Sequence, residues 1–202
     1  MKRIIRETDQ VNFIGEWNVP NDRLFDDLVN FFEDNKHLHK KGVIGGNKNL
    51  NLEKKKTTEI SIDPIKLKNQ QYYIFKEYFE ELLKCYNDYK EQWPFLKGKF
   101  KSLDIPSFNL QRYLPGDHFS QMHSERISTP TMHRIFAWMT YLNDVKVEDG
   151  GCTEFMHYNI KINPEKGKTL IWPAEWTHAH AGQILKKHKK YIITGWMCFS
   201  FN

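Results

Sequence analysis

At 202 residues, the chain is long enough for one domain with a sizeable core. A composition of 40% hydrophobic and 14% aromatic residues excludes a disordered protein, and the net charge of +5 is mild. The basic start from Met1 to Thr8 lacks the apolar run of a signal peptide, and no stretch is long enough to cross a membrane. Cys85, Cys152 and Cys198 are scattered, which fits reduced thiols in a cytosolic protein better than a disulfide framework.

Asn21 or Asp22 caps a predicted helix running to about Asn35, with Leu24, Phe25, Leu28, Val29, Phe31 and Phe32 on its apolar face. The polar segment from Gly42 to Lys56 contains Gly45-Gly46 and Lys54-Lys55-Lys56 and reads as a solvated loop. A second helix is predicted from about Asn69 to Tyr89. It places Ile74, Phe75, Tyr78, Phe79, Leu82, Leu83 and Tyr86 on one side, and Pro94 ends it at the latest.

From Ser107 the period changes to that of strands. Phe108 to Leu114 alternates and stops at the turn Pro115-Gly116. His133 to Leu142 is apolar on both faces, as at the centre of a two-sheet sandwich. Further strands are predicted at Cys152 to Met156, Asn159 to Ile162, Lys168 to Trp172, Ala179 to Ile184 and Lys190 to Phe199, with Gly150-Gly151 making a tight turn. The fold class is α+β: a double-stranded β-helix core of the jelly-roll or cupin-like kind, with N-terminal helices packed on one sheet. The expected organisation is a single domain over 1–202, in which 1–105 is helical and mixed support and 106–202 is the jelly-roll core.

His123 and Glu125 stand two residues apart. Within a strand they would share a face and offer one metal ion an imidazole nitrogen and a carboxylate oxygen. A third ligand from elsewhere in the sheet would make the facial set of two histidines and one carboxylate typical of non-haem iron(II) oxygenases. His178 and His180 lie two residues apart in a predicted strand, and both are candidates. Lys186, Lys187 and Lys189 read as solvated, Arg134 reads as a surface salt bridge ahead of a group supporting the site or facing substrate, and His118, His133 and His157 as structural.

Four blocks in register carry a resemblance. They are Tyr113-Leu114-Pro115-Gly116 leading to His123-x-Glu125; Arg134 through Tyr141-Leu142-Asn143-Asp144; Gly150 to Phe155 with Pro164 to Gly167 and Leu170 to Pro173; and His180-Ala181-Gly182 leading to Lys190 through Trp196. Over Phe108 to Phe199 the sequence resembles the iron(II)- and 2-oxoglutarate-dependent oxygenases of the prolyl 4-hydroxylase-like group, including phage-borne members. The resemblance implies that His123, Glu125 and His180 hold iron, with Glu125 where most members have Asp. It favours His180 over His178 because of the His-x-Gly pattern and the ten-residue spacing to Lys190.

The same resemblance assigns Lys190 to the distal carboxylate of 2-oxoglutarate. Tyr141 would help at that carboxylate, Tyr113 would lie near the cosubstrate's other end, and Thr194 is a further candidate. Trp196 would pack beside the metal. The implied cofactors are iron(II), 2-oxoglutarate and dioxygen, with ascorbate as an assay companion. The implied reaction hydroxylates a C–H bond and releases succinate and carbon dioxide. A protein or peptide is the expected substrate, with prolyl residues foremost and the Gly42 to Lys56 loop as a lid, and the expected location is the cytoplasm. The lysine clusters motivate a nucleobase or small-metabolite alternative, and a non-catalytic jelly-roll binding module is the alternative of another class. No membrane partner is expected.

Overall fold

The computed structural model describes residues 1–8, 10–43, 51–100 and 102–200. The first strands, β1 (Lys2–Arg3) and β2 (Gly15–Asn18), precede helix α1 (Asp22–Asp34). The side chain of Asn21 accepts from the Leu24 amide, satisfying one of the donors a helix start leaves open. Helix α1 buries Leu24, Phe25, Leu28 and Phe32, the i, i+4 stripe expected of a helix lying on a core.

Strands β3 (Lys40–Lys41) and β4 (Thr58–Ile62) follow. Of the loop expected from Gly42 to Lys56, residues 44–50 lie outside the described residues. Of its later part, residues 52–54 and Lys56 are exposed, but Lys55 is buried on Glu59, and Lys56 pairs with Asp117 and forms a bridge with His118. Only Lys54 of that lysine cluster is exposed without a carboxylate partner given among the described residues.

Helix α2 (Tyr73–Gln92) begins later than Asn69. Pro64 and Asp63 set up a 3-10 turn over Pro64–Lys68, and extended backbone at Asn69 separates it from a second turn over Gln70–Tyr72. The buried stripe is Phe75, Tyr78, Leu82, Cys85, Tyr86 and Tyr89. Leu83, expected on that face, is 54% exposed, because the contact with the sheet is narrower than the apolar pattern. The short α3 (Phe95–Lys99) closes the helical half.

The remaining strands are β5 (Phe108–Tyr113), β6 (Phe119–His123), β7 (Arg134–Tyr141), β8 (Thr153–Phe155), β9 (Ile160–Ile162), β10 (Lys168–Pro173), β11 (His180–Gly182) and β12 (Lys190–Cys198). They form two antiparallel sheets. The larger runs β1-β2-β10-β7-β12-β5-β4-β3, and the smaller runs β6-β11-β8-β9. The strands β1 to β4 are thus part of the large sheet, which the sequence had as helical and mixed support.

One face of the large sheet packs on the helices. Phe136, Trp138 and Leu142 of β7 and its end join Leu24, Phe75 and Tyr78 there, and the Tyr78 hydroxyl hydrogen-bonds Thr140. The other face carries Ala137, Met139 and Tyr141 and packs toward the small sheet with Phe155, Ile160 and Ile162. Strand β7 is therefore buried on both sides, with helices rather than a second sheet covering one of them. Gly195 sits where β12 crosses this core: a Cβ there would meet Trp138 Cζ2 at 2.6 Å. Gly150 and Gly151 both hold positive φ at the turn before β8, as their tight-turn reading requires.

Candidate active site

The pairing of β6 with β11 sets His123 directly opposite His180, and their rings lie 4.4 Å apart between centroids. Glu125 is not on that strand. β6 ends at His123, and the chain then turns so that the amides of Glu125 and Arg126 donate to the Ala174 carbonyl at 3.1 and 3.0 Å. This fastening to the end of β10 replaces the expected strand alternation as the reason that His123 and Glu125 converge. Glu125 Oε1 lies 3.5 Å from both His123 Nε2 and His180 Nε2, and the three donor atoms fall within 4.8 Å of one another.

Each imidazole is turned by its own backbone. His123 Nδ1 donates to the Gln121 carbonyl at 2.8 Å, and His180 Nδ1 donates to the His178 carbonyl at 2.9 Å. With Nδ1 held by a backbone carbonyl, each ring turns its Nε2 toward the Glu125 oxygen. Burial and the neighbouring His123 push His180 below its ordinary pKa and keep it neutral, the form that ligates a metal. Burial alone would raise the Glu125 carboxyl, but His123 and His180 outweigh it and hold the group well below the usual carboxylate range. Two imidazoles and one carboxylate aimed at a common point fit a divalent iron ion.

The other Glu125 oxygen is held from behind. Trp196 Nε1 donates to Oε2 at 2.7 Å, and Arg134 reaches it at 3.4 Å while binding the Glu125 carbonyl at 3.0 Å. The Arg134 guanidinium lies 3.6 Å from the Trp196 ring centroid. Arg134 therefore supports the site, the less favoured of its two expected roles. Trp196→Phe removes the Oε2 donor while keeping most of the ring. It is expected to weaken iron(II) binding by about 10- to 100-fold, read by metal titration, with folding unchanged by circular dichroism.

His178 does not share a strand face with His180. It ends a 3-10 turn over Trp176–His178, with its Nε2 on the Asn12 carbonyl at 2.8 Å and its Nδ1 on Thr177 Oγ1 at 3.0 Å. Its contribution to the triad is the carbonyl that orients His180. His118 bonds Ser120, and His157 packs edge-on against Trp176.

Lys190 opens β12 on the same inner face as Ile192, Thr194 and Trp196. It is 3% exposed, and its ammonium has the Gly151 carbonyl at 2.8 Å and the Tyr113 ring at 4.1 Å as partners rather than a carboxylate. Burial lowers its pKa to about 8. Tyr113 is the register partner of Lys190 on β5, which sets its ring beside the Lys190 ammonium. The Tyr141 hydroxyl is engaged by Thr153 Oγ1 at 2.7 Å and the Ile162 carbonyl, and the Thr194 hydroxyl by the Trp138 carbonyl at 2.8 Å. Lys186, Lys187 and Lys189 are exposed as expected.

Two features near the triad have no counterpart in the sequence reading. Phe119 stacks on His123 with centroids 3.9 Å apart, and Trp172 meets His180 edge-on at 5.0 Å. Gln121 Oε1 and Trp172 Nε1 are buried without a hydrogen-bond partner, which leaves an acceptor and a donor for a bound molecule. The only available signal was that Phe119 and Gln121 alternate with His123 along one strand face.

Residues 108–198 match the family model described as the 2OG-Fe(II) oxygenase superfamily, and this stretch contains the triad and Lys190. Through this stretch the chain is similar to the 2-oxoglutarate- and iron(II)-dependent oxygenases. Its fold as a whole is that of prolyl hydroxylases. A Pseudomonas putida prolyl-4-hydroxylase aligns with TM-score 0.72 at 16% identity, covering 94% of each chain. The Trichoplax adhaerens prolyl hydroxylase, in complex with a hypoxia inducible factor oxygen degradation domain peptide fragment, aligns with TM-score 0.72 at 14% identity, covering 93% of this chain and 84% of that one. The viral collagen prolyl hydroxylase of Paramecium Bursaria Chlorella virus-1, in its 2OG complex, aligns with TM-score 0.62 at 17% identity, covering 92% of this chain and 96% of that one. No curated protein matches the chain in sequence.

Proposed function

We propose that this protein hydroxylates a C–H bond of a protein or peptide, with a prolyl residue as the leading target. In this reading 2-oxoglutarate is decarboxylated to succinate and carbon dioxide. His123, Glu125 and His180 hold the iron, which supplies the activation of dioxygen. Lys190 binds the distal carboxylate of 2-oxoglutarate, with the Tyr113 ring beside it. Arg134 and Trp196 fix the Glu125 carboxylate, so that Oε1 stays directed at the metal. The observation that carries the reading is the pairing, on the inner face of one double sheet, of a converging His-Glu-His set with a buried ammonium that lacks an anionic partner. The whole 1–202 chain acts as one unit in this reading, since β2 and β4 extend the sheet that carries Lys190.

The rim of the site favours a peptide over a small metabolite. Ile127 stands two residues past Glu125, and Met132, Met156 and Trp176 lie on the turns around β6, β8 and β11. All four are more than half exposed, giving apolar contacts to an extended chain outside the pocket. A nucleic-acid substrate is less favoured, because Lys55 and Lys56 are spent on Glu59 and Asp117. No helix among the described residues is long and apolar enough to cross a membrane.

The test is incubation of proline-containing peptides with the protein, iron(II), 2-oxoglutarate and ascorbate. The expected result is an added oxygen mass on a prolyl residue with matching succinate. Succinate formation without any oxidised peptide would move the substrate elsewhere. Failure to form succinate or bind metal under any condition would favour a non-catalytic double-sheet binding module.

A further inference from the structure

Lys55 and Glu59 form a buried ion pair linked by contacts to both His123 and Lys190. Their side chains are 7% and 11% exposed, and Lys55 Nζ lies 2.5 Å from Glu59 Oε1. That same oxygen accepts from Thr57 Oγ1 at 3.0 Å and from Gln111 Nε2 at 2.9 Å. With its amide nitrogen held there, Gln111 presents Oε1 to the Tyr113 hydroxyl, which donates at 2.8 Å. The Tyr113 ring is the surface against which the Lys190 ammonium lies.

The chain continues in the other direction. Lys55 Nζ lies 5.0 Å from the ring of Phe119, which stacks on His123. The backbone around Lys55 runs along β6: the Lys54 carbonyl accepts from Gln121, and Lys56 exchanges backbone hydrogen bonds with His118. One short segment therefore touches both the strand that carries a triad histidine and the wall of the Lys190 pocket.

Stability does not account for this pair. Desolvating two charges offsets most of their attraction, and apolar residues of similar volume often serve a core as well. A buried polar network with satisfied members instead fixes one arrangement. We propose that Lys55 and Glu59 are positioning residues for the Lys190 pocket, and that through Gln111 and Tyr113 they couple the 51–57 segment to occupancy of that pocket. This rests on the reading of Lys190 as the 2-oxoglutarate anchor.

The experiment compares hydrogen exchange of the manganese(II)-loaded protein with and without saturating 2-oxoglutarate. In the wild type the amides of Lys54 to Thr57 are expected to exchange at least several-fold more slowly when 2-oxoglutarate is bound. Gln111→Leu cuts the chain while leaving Lys55, Glu59 and Lys190 in place. It is expected to bind 2-oxoglutarate about tenfold more weakly and, at saturation, to lose that slowing. Tyr113→Phe deletes only the hydroxyl and serves if the leucine variant does not fold. Equal slowing in wild type and variant, or none in the wild type at saturation, overturns the coupling. Unchanged 2-oxoglutarate affinity in Lys190→Ala would instead remove the anchor reading, and the coupling with it.

Discussion

His180→Ala is expected to abolish iron(II) binding and succinate formation, whereas His178→Ala weakens metal binding and leaves turnover measurable. Two donors, His123 Nε2 and Glu125 Oε1, remain when the His180 ring is lost, and no nearby imidazole replaces it. His178 has both ring nitrogens committed, to Asn12 and Thr177, and it sits in a turn outside the sheet. Its part in the site is the backbone carbonyl that takes the His180 Nδ1 proton, and this carbonyl survives truncation to Ala. What His178→Ala removes is a side chain buried against Tyr158 and the Asn12 segment, so the His180 backbone loosens. The cost in metal affinity is expected to be on the order of tenfold. Metal titration with succinate analysis separates the two variants. If His178→Ala abolished binding and His180→Ala only weakened it, the ligand assignment would be reversed.

The legible part of this fold was whatever rests on period and turn chemistry. Lys190 to Trp196 alternates so regularly that its inner face, Lys190, Ile192, Thr194 and Trp196, could be assigned from the sequence and stands in the structure as assigned. The capping of α1 by Asn21 was legible for the same local reason. The illegible part rests on contacts between distant segments. Strand β4 is only five residues, three of them polar, and its pairing with β5 secures it as a strand. Glu125 was read as the second residue of a strand pair, but its placement depends on the Ala174 carbonyl, forty-nine residues away. Arg134 could not be assigned to the site over a surface pair, because its contact with Trp196, sixty-two residues away, is not local. That Tyr113 stands beside Lys190 was equally illegible, because the register of β12 on β5 is not written in either strand alone.

Lys190→Ala is expected to raise the 2-oxoglutarate requirement by on the order of a hundredfold or more while leaving metal affinity nearly intact, since removing one partner of a buried charge pair commonly costs about 3–5 kcal/mol. The free protein should respond in the opposite sense. Its ammonium is buried without a carboxylate, and the pKa is depressed to about 8. A lysine whose folded pKa lies below its unfolded value opposes folding at all pH values where the unfolded chain is protonated, and this penalty is relieved as pH rises above about 8. Lys190→Met, which keeps the apolar stem, should therefore melt at a higher temperature than wild type at pH 7 without cosubstrate, and the gap should narrow toward pH 10.

With 2-oxoglutarate the sign reverses. The bound carboxylate favours the charged form, so affinity is full below about pH 8 and declines above it as free Lys190 loses its proton. Thermal melts across pH, with and without manganese(II) and 2-oxoglutarate, read both signs in one series. A Lys190→Met variant that is less stable than wild type without ligand, or that keeps wild-type stabilisation by 2-oxoglutarate, would place the lysine in a purely structural role. A lysine that weakens the empty fold and strengthens the loaded one needs an anionic ligand beside its buried ammonium.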